Sequence, residues 1–301
     1  MKKILLFLYI ALAGYEMQAQ SFFNFRKGRD IIFSVGTGTT SYFGDLNNPG
    51  DIFDTSPNIN LGLQYFFTDR IAIRSEASWF RLSGDDADAD NEGRSVRNLS
   101  FRSDNFEWNV VGIVQAFSNG TRYYQRPGIN VYGFAGIGLL YFNPQGQVPD
   151  NDWSGNPLPE AGSYVALQPL QTEGEAYSRT AIVVPAGIGL KLKAGPFFNF
   201  LIEGGYRFAF TDYLDDVSST YLLHSSLASD PLRQAMADRR NEIGLEPLGD
   251  EEGQIRGNPD DNDGYFILNA KVEFYLPSHI FSTSKSRYSK RKRRSNRARR
   301  R

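Results

Sequence analysis

The chain has 301 residues and no cysteine. This absence excludes disulfides, a thiol nucleophile, a thiolate metal site and a lipid-anchoring cysteine. An envelope location stays open, because secretion does not require disulfides. Histidine is nearly as scarce, with only His224 and His279, so few side chains could act as a catalytic base near neutral pH.

The chain also lacks an apolar run long enough for a membrane helix, which needs about 20 residues. The apolar run near the start covers residues 4–13, after Lys2 and Lys3 and before the small Ala19. A charged start, a short apolar stretch and a small residue before the cut are typical of a secretory signal. We therefore predict a signal peptide over residues 1–20; the alternative is an ordinary buried N-terminal helix.

Net charge is low, at −1, but the charges are unevenly distributed. Residues 283–301 contain eleven Lys and Arg and no acid, so the rest of the chain is acidic. Such asymmetry predicts an interaction tail, here a disordered periplasmic one at 283–301. The candidate partner-binding residues are Lys290, Arg291, Lys292, Arg293, Arg294, Arg299, Arg300 and Arg301.

The tail fits an acidic periplasmic protein, anionic lipid or cell-wall polymer as its partner. Nucleic acid is not expected, because Tyr288 is the one aromatic residue in the tail and a signal peptide removes the chain from the cytoplasm. The alternative is a solvated tail without a partner.

Strand-forming aromatic residues are abundant, with 23 Phe and 16 Tyr. In residues 197–210 the even positions are apolar or aromatic, as in Phe198, Phe200 and Ile202, whereas Glu203 and Arg207 lie on the other face. The chain has many such segments and few helices to cover them. Apolar faces directed toward lipid and polar faces directed into a barrel lumen fit this pattern.

Eight such segments predict an all-β fold, an eight-stranded antiparallel transmembrane β-barrel with long extracellular loops over residues 21–282. The predicted strands are residues 31–40, 58–67, 71–81, 105–117, 130–142, 180–193, 197–210 and 265–276. Long connections after the odd-numbered strands place both termini in the periplasm and the barrel in the cell outer membrane. The alternative is a soluble eight-stranded barrel or sandwich.

Three local features refine this prediction. Aromatic residues recur at strand ends, as an interfacial girdle requires; they are Tyr65, Phe67, Trp79, Tyr141, Phe142, Phe208, Phe210 and Tyr275. Pro185 cannot donate to a strand ladder, so we expect a bulge there. The loop over residues 211–263 predicts one short helix that begins at Pro231, with Asp230 or Ser229 as its cap.

Several motifs in order resemble one family. The first predicted strand is followed by Ser41-Tyr42-Phe43-Gly44-Asp45-Leu46-Asn47, and the third is followed by Ser83-Gly84-Asp85-Asp86. The fourth strand is preceded by Arg97-Asn98-Leu99-Ser100-Phe101. The fifth strand carries Ala135-Gly136-Ile137-Gly138 and Tyr141-Phe142-Asn143-Pro144. They are similar to the outer-membrane barrels of the PorG-like family, components of the type IX secretion and gliding machinery. The resemblance covers residues 30–276 apart from the loops at 143–177 and 211–263. It implies an outer-membrane barrel that contacts the periplasmic ring of the secretion apparatus.

Charged residues of both signs fall on the predicted lumen face. They are Arg74, Glu76, Glu107, Lys191, Glu203, Arg207, Lys271 and Glu273. An eight-stranded barrel is filled by side chains, and buried charges must be paired. We therefore predict lumen ion pairs that plug the barrel; the alternative is transport or a proton relay.

Residues 85–93 resemble a calcium loop, with candidate ligands Asp86, Asp88 and Asp90. The segment departs from the EF-hand, because Asn91 replaces the turn glycine and Arg97 replaces the bidentate Glu. The alternative is a solvated acidic loop, as it is for Asp260, Asp261 and Asp263. Apart from this candidate Ca²⁺ site, no cofactor is expected.

Taken together, the residues and the resemblance predict a non-enzymatic outer-membrane component of a multiprotein envelope machine, with type IX protein secretion favoured. The expected partners are outer-membrane lipid and the periplasmic ring or other envelope proteins, with no small-molecule substrate. A passive barrel that tethers the outer membrane to the cell wall is the first alternative. A rim hydrolase that uses His224, beside Ser225 and Ser226, is the second.

Overall fold

The computed structural model describes residues 31–46, 55–87, 89, 92–120, 123–227, 230–248 and 253–276. The predicted signal peptide and basic tail lie outside these residues. Eight long strands build the fold: β1 (Ile31–Phe43), β2 (Ser56–Phe66), β3 (Ile71–Asp85), β4 (Ser100–Gln115), β5 (Ile129–Tyr141), β8 (Thr180–Lys193), β9 (Phe198–Ala209) and β10 (Gly264–Tyr275). Two short strands, β6 (Pro144–Gln147) and β7 (Tyr164–Ala166), lie between β5 and β8.

The eight long strands form a closed antiparallel barrel. Each pairs with its neighbours in the chain, β5 pairs with β8, and β1 pairs with β10 to complete the circle. Val35 lies opposite Val272 in the closing pair. The predicted eight-stranded β-barrel is therefore confirmed.

The two ends of the barrel differ in the length of their connections. At one end, here the turn end, residues 67–70 join β2 to β3, residues 116–128 join β4 to β5, and residues 194–197 join β8 to β9. At the other, the loop end, the connections cover residues 44–55, 86–99, 142–179 and 210–263. Two of the turn-end connections are only four residues long, as the sequence predicts, but the one at 116–128 has 13 residues, one more than the loop-end connection at 44–55.

The alternation of side chains runs apolar outward and polar inward. On β2, Ile59, Leu61 and Leu63 are about half exposed, whereas Asn58 and Asn60 are buried. A soluble barrel would bury the apolar face, so exposure of this face on every barrel strand indicates a membrane-embedded barrel. The predicted interfacial aromatics Tyr65, Phe67, Trp79, Tyr141, Phe208 and Phe210 are exposed at the strand ends, but Phe142 and Tyr275 are buried.

Two strands extend further than expected. Residues 83–103 are predicted as a loop, yet β3 and β4 remain paired as far as Asp85 and Ser100. Leu82, Leu99 and Phe101 are buried there. Their apolar packing stabilises the strand ends, although the polar composition of the segment predicts a loop.

The expected bulge at Pro185 is absent. The β5–β8 register is the same on both sides of Pro185, with Ala135 opposite Ala186 and Gly138 opposite Val183. The pairing with β9 continues through Pro185, which lies opposite Arg207. Since proline lacks an N–H, the ladder with β5 loses pairs locally but the strand keeps its register.

Within the described residues, the long connections contain three short α-helices, α1 (Glu92–Ser95), α2 (His224–Leu227) and α3 (Pro231–Ala237), and two 3₁₀ helices, Gln168–Leu170 and Arg240–Ile243. The expected helix at Pro231 is α3, and the Asp230 side chain accepts a hydrogen bond from the Arg233 N–H as its N-cap. No helix within the described ranges is long and apolar enough to cross a membrane.

The connections at the loop end pack into a cap with a hydrophobic core of its own. We define the cap as the described residues of these connections with the strand ends that enter them. Its buried apolar side chains include Leu46, Leu82, Leu99, Phe101, Phe142, Val148, Leu158, Leu167, Leu214, Val217, Ala235 and Met236. The long loops are therefore folded over the barrel mouth.

Candidate functional site

The predicted lumen charges lie inside the barrel, and all eight residues are at most 4% exposed. Four are cationic and four are carboxylates, so the set is neutral when every group is charged. Water therefore barely reaches this part of the lumen. Burial this deep is tolerated only where each charge has a partner.

Glu203 is the hub of the lumen ion pairs. It accepts two hydrogen bonds from Arg74, at 2.7 and 2.9 Å, and one from Lys271 Nζ at 2.8 Å. Tyr132 donates a fourth through its hydroxyl, at 2.8 Å. Lys271 also contacts Glu76 at 2.7 Å, so the network joins β3, β5, β9 and β10 across the lumen.

A glycine makes room for the tyrosine of this network. A Cβ on Gly189 would lie 2.2 Å from the Tyr132 ring, far inside van der Waals contact. Glycine at this position therefore lets the Tyr132 hydroxyl reach Glu203.

The other predicted pairs lie above and below the hub. Toward the loop end, Arg207 Nε lies 3.7 Å from Glu107 Oε2, and the Tyr265 hydroxyl donates to Glu107 at 2.7 Å. Toward the turn end, Lys191 Nζ lies 3.0 Å from Glu273. The charges are thus distributed along the lumen in three layers rather than gathered into a cleft.

The turn end is closed by Arg126, which is not among the residues predicted from the sequence. Its guanidinium donates to the carbonyls of Gly195, Pro196 and Phe198, and to Asn199 Oδ1 at 2.7 Å. It also lies 4.7 Å from the Tyr275 ring centroid. An arginine in a turn-like connection is usually solvated, so no periodic signal marks it.

The lumen is less polar than the alternation implies. Ala72, Val111, Ile113, Tyr132, Phe134 and Leu201 form a second buried cluster in its turn-end half. Arg74 lies 5.4 Å from the Phe134 ring centroid, so the charges are packed against rings and aliphatic side chains. A lumen filled in this way leaves no open channel along the described strands.

Buried arginines hold the cap connections together. Arg256 donates to Glu173 at 2.8 Å and lies 3.9 Å from Asp216. Glu173 also accepts the N–H groups of Ser218 and Ser219. Burial raises the pKa of Asp216 to about 6, even though the Arg256 charge opposes that rise.

Asp86, one of the calcium candidates, is buried and paired with arginine. It accepts from Arg97 at 2.6 and 2.9 Å and from Arg94 at 3.1 Å. Asp88 and Asp90 lie outside the described residues, so calcium binding stays a prediction. The described residues contain no cluster of three or more His, Cys, Asp or Glu arranged to hold a metal. The alternative of a solvated loop is wrong for Asp86 and for Asp263, which are both buried.

His224 lies in the cap, and its Nε2 is 2.5 Å from the Leu248 carbonyl oxygen. Its ring centroid is 4.6 Å from that of Trp153. Asp216 is a nearby acid in sequence. In a hydrolase, an acid in this position would orient the imidazole that activates the nucleophile. The carboxylate of Asp216 instead binds Thr172 and Tyr177.

The fold and the lumen define a plugged and capped membrane β-barrel of the outer-membrane type. No protein-family model matches the chain, and no curated protein matches its sequence.

Solved outer-membrane barrels are similar to it at low identity. Neisserial surface protein A is 9% identical, with a TM-score of 0.39 over 82% of this chain and 97% of that one. A major outer membrane protein from Thermus thermophilus is 11% identical, with a TM-score of 0.40 over 81% and 98%. The outer membrane enzyme PagL is 13% identical, with a TM-score of 0.32 over 81% and 99%. Similarities at this level carry no inference about function.

Proposed function

We propose that this protein is a non-enzymatic outer-membrane anchor of a multiprotein envelope machine, and that the machine is a type IX protein secretion complex. The observation that carries the proposal is the filled lumen, in which eight buried charges are paired with one another. A barrel filled in this way acts through its surfaces and its termini. The motifs similar to PorG-like barrels favour the secretion apparatus among such machines.

In this proposal the loop end faces outward and both termini lie in the periplasm, as in barrels with short periplasmic turns. The basic residues at 290–294 and 299–301 then reach a periplasmic component. Clustered Lys and Arg attract an acidic surface over about 10 Å at moderate ionic strength. An acidic face of the periplasmic ring is the partner that this charge pattern fits.

The tail provides the decisive experiment. Deletion of residues 283–301 is expected to remove one or more envelope proteins that co-purify with the barrel from detergent-solubilised membranes. A matched variant replaces the eight basic residues at 290–294 and 299–301 with Ser and keeps the length of the tail. It therefore distinguishes the effect of the tail's charge from the effect of its length. Mass spectrometry of the purified complexes is the measurement.

Each outcome of the tail experiment has a meaning. Loss of a co-purifying protein in both variants supports the machine. Loss of cell-wall binding with no change in protein partners supports the tether instead. If both variants retain every partner and all cell-wall binding, the proposed role of the tail is wrong.

His224→Ala tests the remaining alternative of a rim hydrolase. Because His224 contacts the Leu248 carbonyl and the Trp153 ring within the cap, we expect no change in lipid or ester turnover by membranes that contain the protein. Thin-layer chromatography of extracted lipids is the measurement. A lipid product that vanishes in this variant would contradict the non-enzymatic assignment.

A further inference from the structure

Four aspartates meet where the cap joins the barrel. Asp45 follows β1, Asp212 and Asp215 follow β9, and Asp263 precedes β10. Asp263 accepts the Tyr42 hydroxyl at 2.6 Å and the Leu214 N–H at 2.9 Å. It therefore joins the end of β1 to the connection that carries Asp215.

The same connection returns to the first aspartate. Asp45 accepts the N–H of Asn258 at 2.8 Å, and a Cβ on the neighbouring Gly257 would lie 2.5 Å from the Asp45 carboxylate and 2.6 Å from Ser218 N. The four carboxyl groups thus share one junction between three strands and two connections. We call Asp45, Asp212, Asp215 and Asp263 the junction aspartates.

Three of the four junction aspartates are buried, and two of them have a carboxylate oxygen without a hydrogen bond. Asp212, Asp215 and Asp263 are 9%, 1% and 2% exposed. One oxygen of Asp215 accepts from the Val217 N–H, whereas its Oδ2, like Asp212 Oδ2, has no hydrogen-bond donor among the described residues. A buried carboxylate oxygen without a donor is costly when ionised and tolerable when protonated.

Positive charge near the junction is already engaged elsewhere. The positive charge of Arg97 attracts the carboxylates of Asp45 and Asp215. Its guanidinium nevertheless donates its hydrogen bonds to Asp86 and to the carbonyls of Asp45 and Arg256. Arg94 is paired with Asp86 and Arg256 with Glu173. The other ionisable groups that face the junction are Tyr42, Tyr206, Asp261 and Glu173.

We propose that the junction aspartates form a proton-dependent latch, in which bound protons hold the cap onto β1, β9 and β10 and proton loss loosens it. The charge excess, the burial and the unpaired oxygens carry the proposal, which is independent of the partner proposed above. Several buried carboxylates that repel one another are costly to ionise together without a counter-charge.

The direction of the pH effect follows from linkage. Burial and the Asp263 charge raise the pKa of Asp215, burial raises that of Asp263, and burial raises the pKa of Asp212 to about 7. An acid with a raised pKa in the folded state stabilises that state fully below its unfolded value and loses the effect as pH rises through the folded value. The latch is therefore strongest in acid and weakens toward pH 7 and above.

Hydrogen–deuterium exchange of the full-length protein in detergent tests the latch. After correction for intrinsic exchange, the opening constant of peptides from residues 210–217 and 253–263 is expected to rise between pH 5 and 7, by about tenfold per pH unit for each linked proton. Peptides from the barrel strands serve as the internal reference and are expected to show no such slope.

Substitutions identify the groups responsible. The double variant Asp212→Asn/Asp215→Asn keeps the side-chain shapes but removes two of the three carboxyl groups with a raised pKa, so the pH slope of its cap peptides is expected to fall. Asp260→Asn changes an exposed acid in the same connection and is expected to retain the slope. A flat profile in the unsubstituted protein, or a slope that is unchanged in the double variant, would overturn the latch.

A calcium chloride series separates protons from metal ions. At pH 8 the latch predicts no recovery of protection on addition of calcium. Protection that calcium restores, chelator removes and the double variant abolishes would make the junction a divalent cation site and overturn the proton latch.

Discussion

Replacement of Glu203 with Gln is expected to lower the free energy of unfolding by about 3–5 kcal/mol. Glu203 accepts hydrogen bonds from Arg74, Lys271 and Tyr132 in a lumen that water barely reaches. Glutamine has nearly the same shape but no charge, so it leaves two buried cations with only Glu76 between them. Denaturant unfolding in detergent, followed by the gel shift of the folded barrel, is the measurement.

The chain offers a matched control for this substitution. Arg81 and Asp104 form the same two-pronged pair, at 2.9 and 3.0 Å, but their side chains are 36% and 42% exposed. Asp104→Asn is therefore expected to cost less than about 1 kcal/mol. Equal losses from the two variants would show that the lumen pairs are no more important than a surface pair.

Replacement of Ile202 with Arg is expected to destabilise the barrel by about 2–4 kcal/mol in a bilayer. Ile202 lies in the middle of β9 and is 55% exposed on the outer face. In water a charge there would be harmless, so the effect requires lipid around that face. Folding titrations into phospholipid vesicles measure it.

The control for Ile202→Arg is the same substitution at a different depth in the bilayer. Phe210 lies just beyond β9 at the loop end and is 64% exposed, so Phe210→Arg is expected to cost about 0–1 kcal/mol, as at a membrane interface. A similar cost at both positions would contradict the assignment of the outer face to lipid. The comparison needs no assumption about which end of the barrel faces outward.

The barrel could be predicted from the sequence because its signal repeats every two residues. Ile59, Leu61 and Leu63 alternate with Asn58 and Asn60, and a shift of one residue would reverse every side chain. The eight lumen charges follow from the same alternation, since each falls on the face opposite the lipid-facing residues.

The cap could not be predicted in the same way. Asp86, Asp263 and Arg256 look like solvated loop residues, yet they are buried by contacts between connections far apart in the chain. Arg126 closes the turn end for a similar reason, because its partners lie about 70 residues away. Local pattern carries no information about such pairs. Only the approach of the strand ends, fixed by the barrel, brings them together.

The pairing of β1 with β10 has a consequence for biogenesis. One neighbour of β1 is β2, the next strand in the chain, but the other is β10, the last strand within the described residues. Until β10 pairs with β1, the growing sheet has two open edges, which other chains could add to. Contacts so distant in sequence also form slowly. Delivery to the membrane must therefore protect these two edges until β10 is available.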